Sequence, residues 1–565
     1  MGVIKGAEAA VLMLKEHGVR HIFGLCGDTS LPFYDAMSRL NHGFEHVLTR
    51  DERSAAYMAD AYARVTGRVG VCEGPSGGGA TYILPGIVEA NESSIPVLAI
   101  TTDVPVASRG KYPLTELDQT SLFRPLTKWN NVIDLPGQIP GVFRSAFRAM
   151  TTGRPGAAHI GLPYDIQKQD LDDGLIWAQK EHQRYPAFRC GPDPDLVEEA
   201  ADVIIAAKAP VFICGGGVVI SEAMGELAVL AEALAAPVAT TVSGVGAISH
   251  DHPLSVGVVG TNGGTPETRE VIAAADTVIF VGCRAGSTTT EHWEMPDPRR
   301  TKIVHIDLDP MVVGANYLCA AGLVGDARLV LAALARAIET RLAGASRDRS
   351  GIVTRLSELR ERKRAAFLEL SRSEDRPIRP ERVLAALQRA LPRASVVVAD
   401  PGTPCPYVSG HFEFGAQGRH FITNRAQGAL GYALSAAIGA SYGRPDAKCV
   451  ALMGDGSFGF TVGELETVVR NKIPLTMIVF SNAAFGWIKA SQKDGYGGRY
   501  FSVDFTRTDH ARVAEAYGVK AWRVEDPAQI DAAIAAALAH DGPALVDVIS
   551  QPLEDSRVPV SKWMG

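Results

Sequence analysis

The stretch Val450-Ala451-Leu452-Met453-Gly454-Asp455-Gly456-Ser457 decides how the chain is read. An apolar run ends abruptly in small and acidic residues, so it reads as a buried strand delivering Asp455 at its C-terminal end. A second run, Ile478-Val479-Phe480-Ser481-Asn482, ends the same way and places Asn482 27 residues after Asp455. Open parallel sheets bind ligands at these strand ends. Gly454 and Gly456 allow a tight turn around a phosphate, Asp455 supplies a hard anionic oxygen and Asn482 a neutral one. That donor set suits magnesium held between a diphosphate and an acidic protein. Taken alone, Gly-Asp-Gly is equally well explained as a plain turn.

Outward from this stretch, β-branched runs alternate with Ala/Leu-rich helical segments almost throughout, the pattern of parallel α/β domains. The first block, residues 1–178, has strand candidates at His21–Gly24, Val69–Cys72, Val97–Thr101 and Ala157–Ile160. Residues 181–195 lack periodicity and read as a linker. A second block, 191–345, opens with Val211–Cys214 and Gly215-Gly216-Gly217 and closes around His305-Ile306-Asp307-Leu308-Asp309. Residues 340–375 are charged and helical, a second linker. The third block is 376–550, and 551–565 forms a tail. With 565 residues, three such blocks of similar size are expected.

Composition narrows the function. A net charge of −7 and the lack of a Lys/Arg run that forms a basic patch argue against nucleic acid, and no apolar stretch reaches the length of a bilayer span. The eight cysteines contain no C-x-x-C pair, so neither zinc nor a disulfide framework is indicated, and a cytoplasmic setting is expected.

Two further segments give the central motif its meaning. Glu52 opens an Ala-rich helix ending in Met58-Ala59-Asp60-Ala61-Tyr62-Ala63-Arg64-Val65-Thr66-Gly67, and Gln427-Gly428-Ala429-Leu430-Gly431 precedes a small-residue helix at Ser435–Ala440. With Asp455 and Asn482 these resemble the thiamine-diphosphate (ThDP) dependent enzymes. The resemblance implies three Rossmann-like parallel-sheet domains: pyrimidine-binding, middle and diphosphate-binding. It makes Asp455, Asn482 and the main-chain oxygen of Ala484 magnesium ligands. It makes Glu52 the catalytic carboxyl group, bonding a pyrimidine nitrogen so that the cofactor's own amine takes the thiazolium proton. The carbonyl of Gly428 is expected to receive the pyrimidine amino group, and Leu430 to bend the cofactor. Gly402, Thr403, Gly454, Gly456, Ser457, Phe485 and Gly486 complete the expected cofactor contacts. In the family Glu52 and the Asp455 site come from different chains, so a homodimer or homotetramer is expected. Two family positions differ: Ser481 stands where an Asn is usual, and Asp51 where a His is usual.

The reaction subclass is read from weaker features. No His-His pair occurs among the fourteen histidines, unlike pyruvate decarboxylases. Leu114 and Thr115 stand where acetohydroxyacid synthases carry Phe-Gln, while Glu116-Leu117-Asp118-Gln119 looks like 2-hydroxyacyl-CoA lyases. The tail, with Ser556, Arg557 and Lys562, resembles the segment that covers CoA in that branch, since cations there would meet phosphates. The resulting expectation is a lyase cleaving a 2-hydroxyacyl-CoA thioester to a carbonyl compound and formyl-CoA. Gln119, Trp487, Ser556 and Arg557 are its candidate substrate contacts, and ADP is expected in the middle domain near Gly216, Arg284 and Asp307. The alternative is a decarboxylase or carboligase acting on a free 2-oxo acid, acetolactate synthase-like or benzoylformate decarboxylase-like. An inactive regulatory homologue is a reading of another class, which the intact Glu52, Asp455 and Asn482 oppose.

Overall fold

The computed structural model describes residues 2–562. Three six-stranded sheets carry the architecture, and every strand pair within them is parallel. With each sheet's strands numbered one to six along the chain, the first sheet (His21 to Pro163) has the order 2-1-3-4-6-5. The third (Val396 to Ile549) repeats that order, while the middle one (Pro210 to Val324) runs 3-2-1-4-5-6. Each order reverses at one point, and there the loops part to leave a crevice. In the third sheet the reversal lies between Val396–Ala399 and Cys449–Gly454, so Gly402 and Asp455 follow directly from the two flanking strands. In the first sheet it lies between His21–Gly24 and Gly70–Gly74.

The central strands are buried on both faces and read as continuous apolar runs, which is why the sequence locates them. Two edge strands of the first sheet, Glu45–Leu48 and Trp129–Val132, escaped the reading. They are half-covered and polar, so no apolar run marks them. The segment expected as a charged helical linker is the helix Ser350–Ser371.

The chain gathers into two compact units rather than one per sheet. The first comprises residues 1–188 with 424–446 and 460–475, and the second comprises 189–423, 447–459 and 476–565. Within the first unit, helix Glu52–Thr66 packs along helix Tyr432–Gly443. Small residues permit the approach: a Cβ on Gly439 would lie 2.0 Å from the carbonyl oxygen of Met58.

Candidate active site

The catalytic glutamate of the sequence reading sits at the first turn of its helix. Asp51 caps that helix, its carboxylate accepting from the Arg53 amide at 2.8 Å. The position where the family has His is thus a helix cap in this chain. Glu52 itself is only 6% exposed, and burial raises its carboxyl pKa, with the nearby Asp51 and Glu73 charges pushing the same way. Gly74 and Gly79 make room for it. A Cβ on Gly74 would lie 3.2 Å from Glu52 Cγ, and one on Gly79 3.2 Å from Oε1.

A second buried carboxyl group stands beside it. Glu73 ends the third strand of the first sheet and is fully buried; the Tyr34 hydroxyl donates to its Oε1, and His46 Nε2 lies 3.5 Å away. Tyr34 also bonds His46 at 2.9 Å. Burial raises the Glu73 pKa, which the His46 and Tyr34 bonds oppose, and its Oε2 has no partner among the described residues. The sequence reading missed this group. Its one signal was an acidic residue inside the buried strand Gly70-Val71-Cys72-Glu73-Gly74.

The loop bearing Gly428 and Leu430 belongs to the same compact unit, and a buried ionic network fixes it. Glu89 accepts from the amides of Ala426 and Gln427 at 3.2 and 2.8 Å. Arg64 holds Glu89 at 3.2 Å and Asp60 at 2.9 Å, and Tyr432 donates to Asp60 at 2.5 Å. Asp60 and Arg64 of the sequence motif therefore serve the loop rather than the chemistry. Gly428 takes φ +74°, with nothing within 4 Å of where a Cβ would stand, and Leu430 is half-buried.

In the second unit, Asp455 begins helix Asp455–Thr461 immediately after its strand. One carboxylate oxygen accepts from the Asn482 and Ala483 amides at 2.9 and 2.6 Å, the other from Gly456 at 2.8 Å. Burial raises its pKa, and these amide donors oppose the rise. Asn482 Oδ1 accepts from Ala484 N at 3.2 Å, so the two predicted side-chain ligands share one turn. Ser481 points elsewhere, bonding His510 at 2.9 Å and Asp547 at 2.5 Å in a buried cluster under the turn. The departure at Ser481 thus leaves Asp455 and Asn482 in place.

The residues fit a diphosphate with a hard cation. No group of three or more His, Cys, Asp or Glu converges among the described residues, so an ion here would depend on Asp455, amide and main-chain oxygens and its ligand. Nothing lies within 4 Å of a Cβ at Gly402 or Gly454, whereas a Cβ on Gly456 would meet the Phe485 ring at 2.9 Å. Thr403 and Ser457 are buried, and a Cβ on Gly486 would lie 3.3 Å from Thr403 Oγ1.

Other predicted contacts are engaged in the fold. Gln119 is buried, bonded to Thr101 at 2.5 Å and to the Thr102 carbonyl at 3.0 Å. Trp487 packs against the core of the third sheet. Ser556 donates to the Pro552 carbonyl at 2.9 Å, Arg557 is exposed, and Lys562 pairs with Glu294 at 2.7 Å. Pro559 accepts from the Gly263 amide at 2.9 Å, which docks the tail; Trp563 lies outside the described residues. In the middle sheet the glycine turns serve backbone packing, since a Cβ on Gly215 would lie 2.1 Å from the Gly282 carbonyl. Gly216 opens a short helix there, Arg284 is exposed, and Asp307 accepts from the Asp309 amide at 3.0 Å.

Comparison with known proteins places the chain in a family. Family models of the thiamine pyrophosphate enzymes match as N-terminal binding domain (4–122), central domain (197–334) and C-terminal binding domain (400–548). The chain is 36% identical over 560 residues to a probable acetolactate synthase large subunit of Methanocaldococcus jannaschii, covering 98% of this chain and 93% of that one. It is 32% identical over 553 residues to an acetolactate synthase of Arthrospira platensis, covering 96% and 94%. It is 30% identical over 571 residues to a glyoxylate carboligase of Escherichia coli O157:H7, covering 97% and 93%. These relatives favour the 2-oxo acid alternative over the acyl-CoA lyase expectation, and none carries CoA or ADP in its name. Matched along its length by all three domain models, the chain belongs to the thiamine pyrophosphate enzyme family.

Proposed function

We propose that the protein is a ThDP- and magnesium-dependent carboligase that decarboxylates a small 2-oxo acid and joins the remaining acyl unit to a second carbonyl compound. The observation carrying this reading is the water-shielded Glu52, together with end-to-end likeness to proteins named for acetolactate synthesis and glyoxylate carboligation. When bound, ThDP supplies a carbon nucleophile and a sink for the electron pair that carbon dioxide leaves behind.

The chain's residues supply everything else. Glu52, whose carboxyl pKa is raised by burial, would hold a proton at a pyrimidine ring nitrogen. The Gly428 carbonyl would accept from the pyrimidine amino group, with Leu430 packed against the cofactor. Asp455, Asn482 and the Ala484 carbonyl would hold the magnesium ion, while Gly402, Thr403, Gly454, Gly456 and Ser457 would line the diphosphate. Phe485 and the exposed Ile488 border the substrate space. Two chains complete each centre, one giving Glu52 and the other Asp455, so a homodimer is the smallest active form and a homotetramer a larger one.

Apoprotein titrated with ThDP and Mg²⁺ should give a saturable circular-dichroism change. Pyruvate or glyoxylate should then yield carbon dioxide and an acyloin-type acid. Turnover confined to formyl-CoA plus an aldehyde would restore the 2-hydroxyacyl-CoA lyase reading, and a silent titration would mark an inactive regulatory homologue.

A further inference from the structure

Helix Ser350–Ser371 walls a cavity of about 230 Å³ against helix Pro380–Ala390, the end of helix Pro404–His411 and strand Ser255–Val258. None of its lining residues serves the cofactor, and the volume is far above the roughly 10–15 Å³ that one water requires. Its charge is one-sided. Lys363 is half-buried and has no hydrogen-bond or ion-pair partner among the described residues, and its nitrogen lies 3.4 Å from where a Gly257 Cβ would stand. Arg364 is exposed and has no ion-pair partner among the described residues. Arg360 donates to the carbonyls of Leu356, His252 and Pro253, which engages three of its donors without neutralising its charge. Of the lining cations only Arg389 meets a carboxylate, Asp531. Against them stands a single lining acid, Glu413. Burial lowers the Lys363 pKa, with Glu413 and Glu267 only partly offsetting it.

Cations gathered on one side of a partly enclosed cavity without counter-charges attract their missing partner, an anion. The remaining walls say what the anion carries. His411 stacks on Phe367 at 4.8 Å, its Nδ1 buried without a partner, and Phe367, Leu368 and Phe412 give the cavity an apolar side. We propose that this cavity binds a small organic carboxylate with an apolar body. Lys363 and Arg364 hold the carboxylate, and the hydrocarbon part lies against Phe367 and Phe412.

The test is calorimetric titration of the cofactor-loaded enzyme with 4-methylpentanoate, its neutral amide and inorganic phosphate. The carboxylate should bind saturably, once per chain, and the amide about tenfold more weakly or worse, as loss of a charge-assisted bond requires. Lys363→Met should weaken carboxylate binding by at least about the same factor, with turnover and the cofactor dichroism unchanged. Arg364→Ala, an exposed site that will not disturb folding, should weaken it by a smaller factor. Equal binding of acid and amide would reduce the cavity to an apolar pocket and overturn the proposal, as would binding of phosphate alone. No saturable binding, binding indifferent to both variants, or displacement by the catalytic substrate would overturn it too. Because the acid–amide comparison needs no variant, the proposal stays testable if Lys363→Met does not fold.

Discussion

Glu52 and Glu73 are two carboxyl groups in one dry corner, and each is pushed toward its neutral form. Only Glu52 opens the helix that the family motif marks, so Glu52→Gln should lower kcat by about 10²–10⁴-fold while cofactor still binds. Steady-state kinetics beside the dichroic titration separate the two effects. Glu73 acts on stability. Its pKa in the folded protein lies above the ordinary 4.5, so its contribution is fully present below that pH and is lost as pH rises through the folded value. Glu73→Gln should therefore leave the melting temperature little changed near pH 4.5 and raise it at neutral pH, flattening the profile. Melting the apoprotein at several pH values reads this directly. At the turn, Gly456→Ala sets a methyl 2.9 Å from the Phe485 ring, so ThDP and Mg²⁺ should bind less tightly even though the strand is unchanged.

At the scale of elements, helix Glu52–Thr66 carries both chemistry and anchoring. Asp51→Ala removes its cap and should cost about 1 kcal/mol in denaturant unfolding. Arg64→Met is a heavier blow, because Asp60 and Glu89 would remain buried without their counter-charge. About 3–5 kcal/mol is expected, with loosened cofactor binding through the Ala426–Gln427 amides that Glu89 holds. These elements also show where sequence reading succeeds. The strand ending in Asp455 and the helix opening at Glu52 are legible because a local apolar period stops at a functional residue. Glu89 was invisible, since its meaning depends on amides 337 and 338 residues away. The Ser481–His510–Asp547 cluster and the Lys363 cavity were hidden for the same reason: they join segments that no spacing rule relates. The tail hint was weak because exposed cations and hydroxyls are common at chain ends, and here Ser556 and Lys562 bond within the fold.

For the molecule as a whole, the shared-centre proposal has a sharp consequence. Glu52→Gln and Asp455→Ala proteins should each be inactive, yet mixing them after subunit exchange should restore about a quarter of the wild-type rate. Half the dimers are then mixed, and one of each mixed pair's two centres is intact. Persistent silence of the mixture would show that each chain builds its own centre. Stripping the metal with a chelator should abolish ThDP retention, and Mg²⁺ should restore it, since Asp455 alone offers a diphosphate repulsion rather than a bridge.

The composition of the first compact unit bears on how the protein is born. Its closing helices lie at residues 424–446 and 460–475, beyond the whole middle sheet. At ribosomal rates of about 5–20 residues per second, the chain ending at Phe188 waits roughly 15–60 s for Leu475 to be made. Throughout that interval the alanine face of helix Glu52–Thr66 has no companion, and Asp60, Arg64 and Glu89 remain hydrated. The nascent protein is exposed to misassociation for about half of its synthesis, so slowing translation should increase its dependence on chaperones.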